Sequence, residues 1–118
     1  IKRKIKIFSD ETLELGNNMG KLSLIADNKG NISPEIVELG LNVTYRKGGE
    51  KIKPIGRKYT HKLKNLFQEK KIYPWMRGKI PILEYKNELV CVGNLWVAEK
   101  FHKQNGYSLI WSEKPDIN

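Results

Sequence analysis

The side chains in this sequence with the greatest capacity for chemistry are its cations, and they are unevenly placed. Residues 46–79 hold twelve bases: Arg46, Lys47, Lys51, Lys53, Arg57, Lys58, Lys62, Lys64, Lys70, Lys71, Arg77 and Lys79. The same stretch holds two acids, Glu50 and Glu69, for a local net charge of +10, whereas the whole chain carries +9. A surplus that served solubility alone would be spread out. Focused positive charge attracts polyanions and speeds their encounter. A charge run is also what a plain solvated face looks like, so composition leaves both readings open.

The other reactive residue types do not assemble. His61 sits in the basic stretch, and His102 lies far along the chain near Glu99. Cys91 falls in the apolar run Leu89-Val90-Cys91-Val92 and reads as a small core residue. No Ser or Cys has a His at a recognisable catalytic spacing, and Glu84, Glu88 and Glu99 form no evident pair. Neither a Gly-x-x-x-x-Gly-Lys-Ser/Thr nor a Gly-x-Gly-x-x-Gly motif occurs. Gly48-Gly49 reads as a turn between strands, and a backbone open to phosphate is its sharper alternative. Glu50 reads as a surface or turn contact. Trp75 reads first as a buried anchor closing a helix, with stacking on a base as the alternative; Trp96 reads as core and Trp111 as partly exposed.

The elements that would position these residues follow from apolar spacing. Ile5 and Ile7 alternate with Lys4 and Lys6, and Ile1 with Lys2 extends the pattern; Leu22, Leu24 and Ala26 repeat the period of two, as do Leu41, Val43 and Tyr45. Ser33-Pro34-Glu35 predicts a short helical turn capped by Ser33. The main helix is predicted over 61–71 with Thr60 as N-cap, because Leu63, Leu66 and Phe67 form an apolar stripe and Pro74 follows. Trp75 and Met76 then form a single turn. Residues 80–85 and 88–92 predict a hairpin through Lys86-Asn87, its second strand central because it is apolar on both faces. Further strands are predicted at 95–98 and through Tyr107, Leu109 and Trp111, with a frayed tail over 113–118. The sum is a β-rich α+β domain with one principal helix.

A chain of 118 residues suits one domain with its own core. No apolar run approaches the ~20 residues of a membrane span, and the N-terminal residues lack the apolar block of a signal peptide. One cysteine and two distant histidines supply neither a disulfide nor a four-ligand zinc site. A reducing, cytoplasmic location is expected. The chain begins with Ile1 instead of Met and reads as a piece of something larger.

Six motifs follow one another: Arg46-Lys47-Gly48-Gly49-Glu50, Gly56-Arg57, Lys62-Leu63-Lys64-Asn65-Leu66-Phe67-Gln68-Glu69, Ile72-Tyr73-Pro74-Trp75-Met76-Arg77, Ile80-Pro81-Ile82-Leu83 and Leu89-Val90-Cys91-Val92-Gly93-Asn94-Leu95-Trp96-Val97. In this order they resemble the C-terminal domain of tRNA(Ile)-lysidine synthetase. Tyr73 departs from the family pattern in place of a proline, and Gly78 in place of an acid. The resemblance implies a three-layer fold with a β-sandwich of unusual topology, shared with a domain of the phenylalanyl-tRNA synthetase β chain. It implies a single domain over 1–118: a β-rich lead-in (1–40), a family-matching core (41–112) and a tail (113–118). It implies no catalytic residues, metal or cofactor in this chain. ATP with Mg, and the attachment of lysine to the anticodon cytidine, would belong to an N-terminal catalytic domain carrying a Ser-Gly-Gly-x-Asp-Ser loop, absent from these residues.

The implied partners are that catalytic domain and an isoleucine tRNA with a CAU anticodon, gripped near its acceptor-stem end. An A-form stem is read through phosphates, 2′-hydroxyls and shape. The bases expected to make these contacts are Arg46, Lys51, Lys53, Arg57, Lys58, Lys62, Lys64 and Arg77. Two other readings compete: a basic protein-interaction module docking on another domain or an acidic partner, and a small enzyme with an unrecognised site.

Overall fold

The computed structural model describes residues 5–118. Strand β1 (Ile5–Ile7), β4 (Leu41–Thr44), β7 (Ile82–Tyr85), β8 (Glu88–Val92) and β9 (Trp96–Val97) form an antiparallel sheet in the order β1-β4-β7-β8-β9. A second antiparallel sheet has the order β10-β3-β2, from β10 (Tyr107–Ser112), β3 (Lys21–Ala26) and β2 (Thr12–Glu14). A two-stranded ribbon, β5 (Lys51–Ile52) with β6 (His61–Lys62), leads directly into the helix α2 (Leu63–Glu69). Helix α1 (Pro34–Leu39) and two 3₁₀ helices, Pro74–Lys79 and Glu99–Phe101, complete the fold. It is the expected β-rich α+β architecture. No helix among the described residues is long and apolar enough to cross a membrane.

Both sheets feed one core. Leu22, Leu24 and Trp111 from the three-stranded sheet join Ile7, Leu41, Leu83, Val90, Cys91 and Val92 from the five-stranded one. Strand β8 is flanked on both sides, which is why it tolerates three consecutive buried apolar residues. The hairpin turns at Lys86 and Asn87, both with positive φ (48° and 66°), a geometry whose twist matches that of the strands. The apolar stripe of α2 is buried as its spacing predicts, at Leu63, Leu66 and Phe67.

Burial pushes the Cys91 thiol up from its ordinary 9.0 to about 12. The native state therefore holds this proton more tightly than the unfolded chain. The resulting stability is fully present below about pH 9 and is lost as pH rises toward about 12. Between about pH 8 and about pH 10 the parent is expected to lose on the order of 1 kcal/mol more stability than Cys91→Ala. Paired urea titrations check this, and identical pH profiles for the two proteins would rule it out.

Several expectations are corrected. The helix is shorter than 61–71 and its N-cap is Lys62, not Thr60. His61 and Lys62 are instead drawn into a ladder with Ile52 and Lys51, where buried Ile52 anchors the ribbon. The strand predicted at 95–98 is confined to Trp96–Val97, and Ala98 bridges to Pro54. Ile5 is exposed although Ile7 is buried, and Ile1, Lys2 and Lys4 lie outside the described residues. Trp111 is buried, and its indole N–H donates to the carbonyl of Met19 at 2.7 Å. The tail is docked instead of frayed. Ile117 is buried, its carbonyl accepts the N–H of Tyr73 at 2.9 Å, and the Asn118 side chain donates to the carbonyl of Lys70 at 3.2 Å. Trp75 is not a buried anchor: it is 66% exposed, and Met76 at 6% takes that role. A 3₁₀ helix directs only part of each turn inward, and the slim, unbranched Met fills the gap there.

Candidate nucleic-acid interface

The basic segment is laid out by the β5–β6 ribbon, the loops at its two ends, and α2. In the ribbon Lys51 lies directly opposite Lys62, and Ile52 opposite His61. Residues opposite one another in an antiparallel pair share a face. Lys51 and Lys62 therefore project together on the side away from buried Ile52. Lys64 follows in the first turn of α2, exposed like the other two. Among the described residues none of these three ammonium groups has a carboxylate at ion-pair distance.

The remaining predicted bases are more constrained. The Arg57 guanidinium makes a forked contact with Glu69, at 2.6 and 3.3 Å. That hydrogen bond holds the Glu69 carboxyl below the usual carboxylate range. Lys53 pairs with Glu99 at 2.7 Å. Arg77 donates Nε–H to the carbonyl of Ile72 at 3.0 Å and is half-buried. The Arg46 guanidinium lies 5.8 Å from the centre of the Phe67 ring. Lys58 sits 5.6 Å from the ring of Tyr59 in the exposed loop between β5 and β6. For Arg57 and Lys53, gripping a phosphate means exchanging it for a carboxylate already in place.

The Gly48-Gly49 turn is filled from within. Both glycines have positive φ, 114° and 82°, which suits them to the bend. The Glu50 carboxylate accepts the N–H of Lys47 at 2.7 Å and of Gly48 at 3.0 Å. Partial burial pushes that carboxyl up. The N–H groups of Lys47, Glu50 itself and Gly48, with the charge of Arg46, outweigh this and hold it below the usual range. An internal anion therefore occupies the amides that a phosphate would need. Nor do the described residues bring together three His, Cys, Asp or Glu that could hold a metal. With the Lys47 and Gly48 amides engaged by Glu50, this turn does not offer them to the phosphates of ATP.

A cleft of about 470 Å³ opens beside Lys51 and Lys53, against Glu99 and Lys100. Its rim is self-neutralised by the Lys53–Glu99 and Lys100–Glu88 pairs, so it does not extend the positive surface. Sequence spacing gave no sign of the Arg57–Glu69 and Lys53–Glu99 pairs, whose members lie on different elements. It also missed Tyr73, whose ring stacks on Trp75 with centroids 4.7 Å apart and planes at 12°. The readable signal was two aromatics flanking Pro74.

Fold and site together define a basic, β-rich α+β domain with an exposed lysine ribbon. The family model described as the TilS substrate C-terminal domain matches residues 41–111. The chain belongs to that family. It is similar to the tRNA(Ile)-lysidine synthase of Vibrio parahaemolyticus, with 41% identity over 104 residues, covering 86% of this chain and 23% of that protein. The tRNA(Ile)-lysidine synthase of Coxiella burnetii is 36% identical over 92 residues, covering 76% of this chain and 20% of its own. A crystal structure of a TilS C-terminal domain shares the fold, with a TM-score of 0.69 and 22% identity, covering 93% of this chain and 98% of that one. The chain thus spans about a quarter of the length of the relatives it matches.

Proposed function

We propose that residues 1–118 act as one C-terminal, tRNA-gripping domain of a tRNA(Ile)-lysidine synthase. In this reading the domain holds the acceptor-stem end of an isoleucine tRNA with a CAU anticodon. A preceding ATP- and Mg-dependent domain then attaches lysine to the anticodon cytidine. The observation that carries the reading is the cross-strand pair Lys51–Lys62, followed by Lys64, exposed and, among the described residues, without carboxylate partners. Like charges set directly opposite oppose folding. A line of phosphates would turn that repulsion into attraction. Arg46, Lys53, Arg57, Lys58 and Arg77 border this centre, and the two arginines with forked or stacked geometry would fix orientation more than the lysines do. Phosphate contacts position the RNA without identifying it, so selection of the isoleucine tRNA would need contacts beyond these bases.

Titration of the chain with tRNA and with duplex DNA at several salt concentrations tests the reading. Lys64→Ala is expected to lower the magnitude of the log-affinity against log-salt slope by about one. An unchanged slope in a folded variant would remove Lys64 from the interface. The isolated chain is expected to incorporate no lysine into tRNA and to hydrolyse no ATP; either activity would refute the division of labour proposed.

A further inference from the structure

We propose that the stacked Tyr73–Trp75 pair is a platform for an unpaired nucleobase of the bound RNA. This rests on the RNA-binding reading above and extends it from phosphates to a base. Trp75 is 66% exposed, whereas Trp96 and Trp111 are buried at 7% and 5%. One face of its indole is backed by Tyr73 in near-parallel stacking. The backbone beneath is fixed. The N–H of Tyr73 is bound by the carbonyl of Ile117, the N–H of Met76 by the carbonyl of Tyr73, and Met76 is buried. The exposed ring is thus held in place before any ligand arrives, which lowers the ordering cost of binding.

The chemistry of the occupant follows from the surroundings. Residues 70–79 contain Lys70, Lys71, Arg77 and Lys79 and no acid. Lys70 lies over the Trp96 ring, 5.9 Å from its centre, and Arg77 is tied to the carbonyl of Ile72. Lys71 and Lys79 are exposed to either side of the aromatic pair in the chain. Four cations flank this flat aromatic surface in the chain, against one acid, Asp116, beside Ile117 in the docked tail; that excess suits a ligand that carries both a π-face and negative charge. A nucleotide has both, and stacking on aromatic side chains is how unpaired bases are held. Bases inside a duplex are already stacked on one another, so the occupant is a base beyond the end of a stem.

The test uses a short RNA hairpin with a blunt stem, its loop replaced by a non-nucleotide linker, and two derivatives, each with a single-stranded extension at one end. One of the extended hairpins is expected to bind the parent chain about ten-fold more tightly than the blunt one. It should also quench the tryptophan emission, in which Trp75 is the exposed contributor. Trp75→Ala should abolish that gain while leaving the blunt-hairpin affinity and the salt slope unchanged, with the melting temperature lowered by only about 5 °C. Trp75→Phe should recover part of it. If Trp75→Ala binds the extended hairpin as tightly as the parent does, the platform is refuted and the lysine face stands. If the parent binds none of the three RNAs, both readings are overturned.

Discussion

Replacing Lys51, Lys62 and Lys64 together with glutamine is expected to make the protein slightly more stable and a much poorer RNA ligand. The two effects have one cause. Lys51 and Lys62 are directly opposed across the β5–β6 ribbon, and such like-charge pairs destabilise a sheet by several tenths of a kcal/mol. Glutamine keeps most of the stem and removes the repulsion. On RNA, each neutralised phosphate contact forgoes the release of bound counterions. Near about 0.15 M salt that is worth about five-fold in affinity, so three contacts amount to about 100-fold. The salt slope should fall by two to three in the same measurement, in line with about 0.7–0.9 per contact. A loss of affinity with reduced stability would mean only that the variant unfolds. Affinity within about two-fold of the parent, in a folded variant, would move the interface elsewhere. The comparison is sharpened by Lys29→Gln, outside the basic segment, which should alter neither quantity.

How far the sequence disclosed the fold depended on whether burial or competition decided each element. Strand β8 and the stripe of α2 were legible because period and apolarity pointed to one arrangement. The start of α2 was not. Residues 61 and 62 suit a helix by propensity, yet pairing with Lys51 and Ile52 satisfies their backbone groups first, and tertiary pairing overrides local preference. Trp75 and Met76 are adjacent apolar residues in one turn, and nothing in their spacing says which faces inward. The polar composition of 113–118 concealed the docked tail, because one apolar residue, Ile117, is enough to anchor it.

The candidate site was legible as a charge density and not as a geometry. The count over 46–79 marks where the positive charge is concentrated along the chain. It could not separate cations already committed to internal partners from those left free. Arg57 meets Glu69 from a different element, and Lys53 meets Glu99 from far along the chain. Such pairs depend on how loops fold back, which neither periodicity nor spacing encodes. The Gly48-Gly49 turn shows the same limit. Its sequence allows a phosphate loop, and only the position of the Glu50 carboxylate shows the amides occupied.

Phe67→Ala is expected to be the most damaging single substitution around the site, costing about 3–5 kcal/mol. The ring is fully buried and meets Trp96 at a centroid distance of 5.8 Å, tilted by 53°. Truncation leaves a cavity where α2 contacts Trp96, and it also removes the surface beneath the Arg46 guanidinium. Trp75→Ala, although it deletes a larger ring, should cost only about 1 kcal/mol, chiefly the lost stacking on Tyr73, because most of that ring is in water. This ordering reverses the one expected from a Pro-Trp helix exit with a buried anchor. Urea denaturation of both variants settles it, since a small domain is stable by only about 5–15 kcal/mol and a loss of this size is a large share of the total. Phe67→Leu, which refills part of the cavity, should fall between them. If Trp75→Ala proved the costlier of the two alanine variants, the indole would have to be packed inside in solution, and both the assignment of Met76 as the anchor and the aromatic platform would fall together.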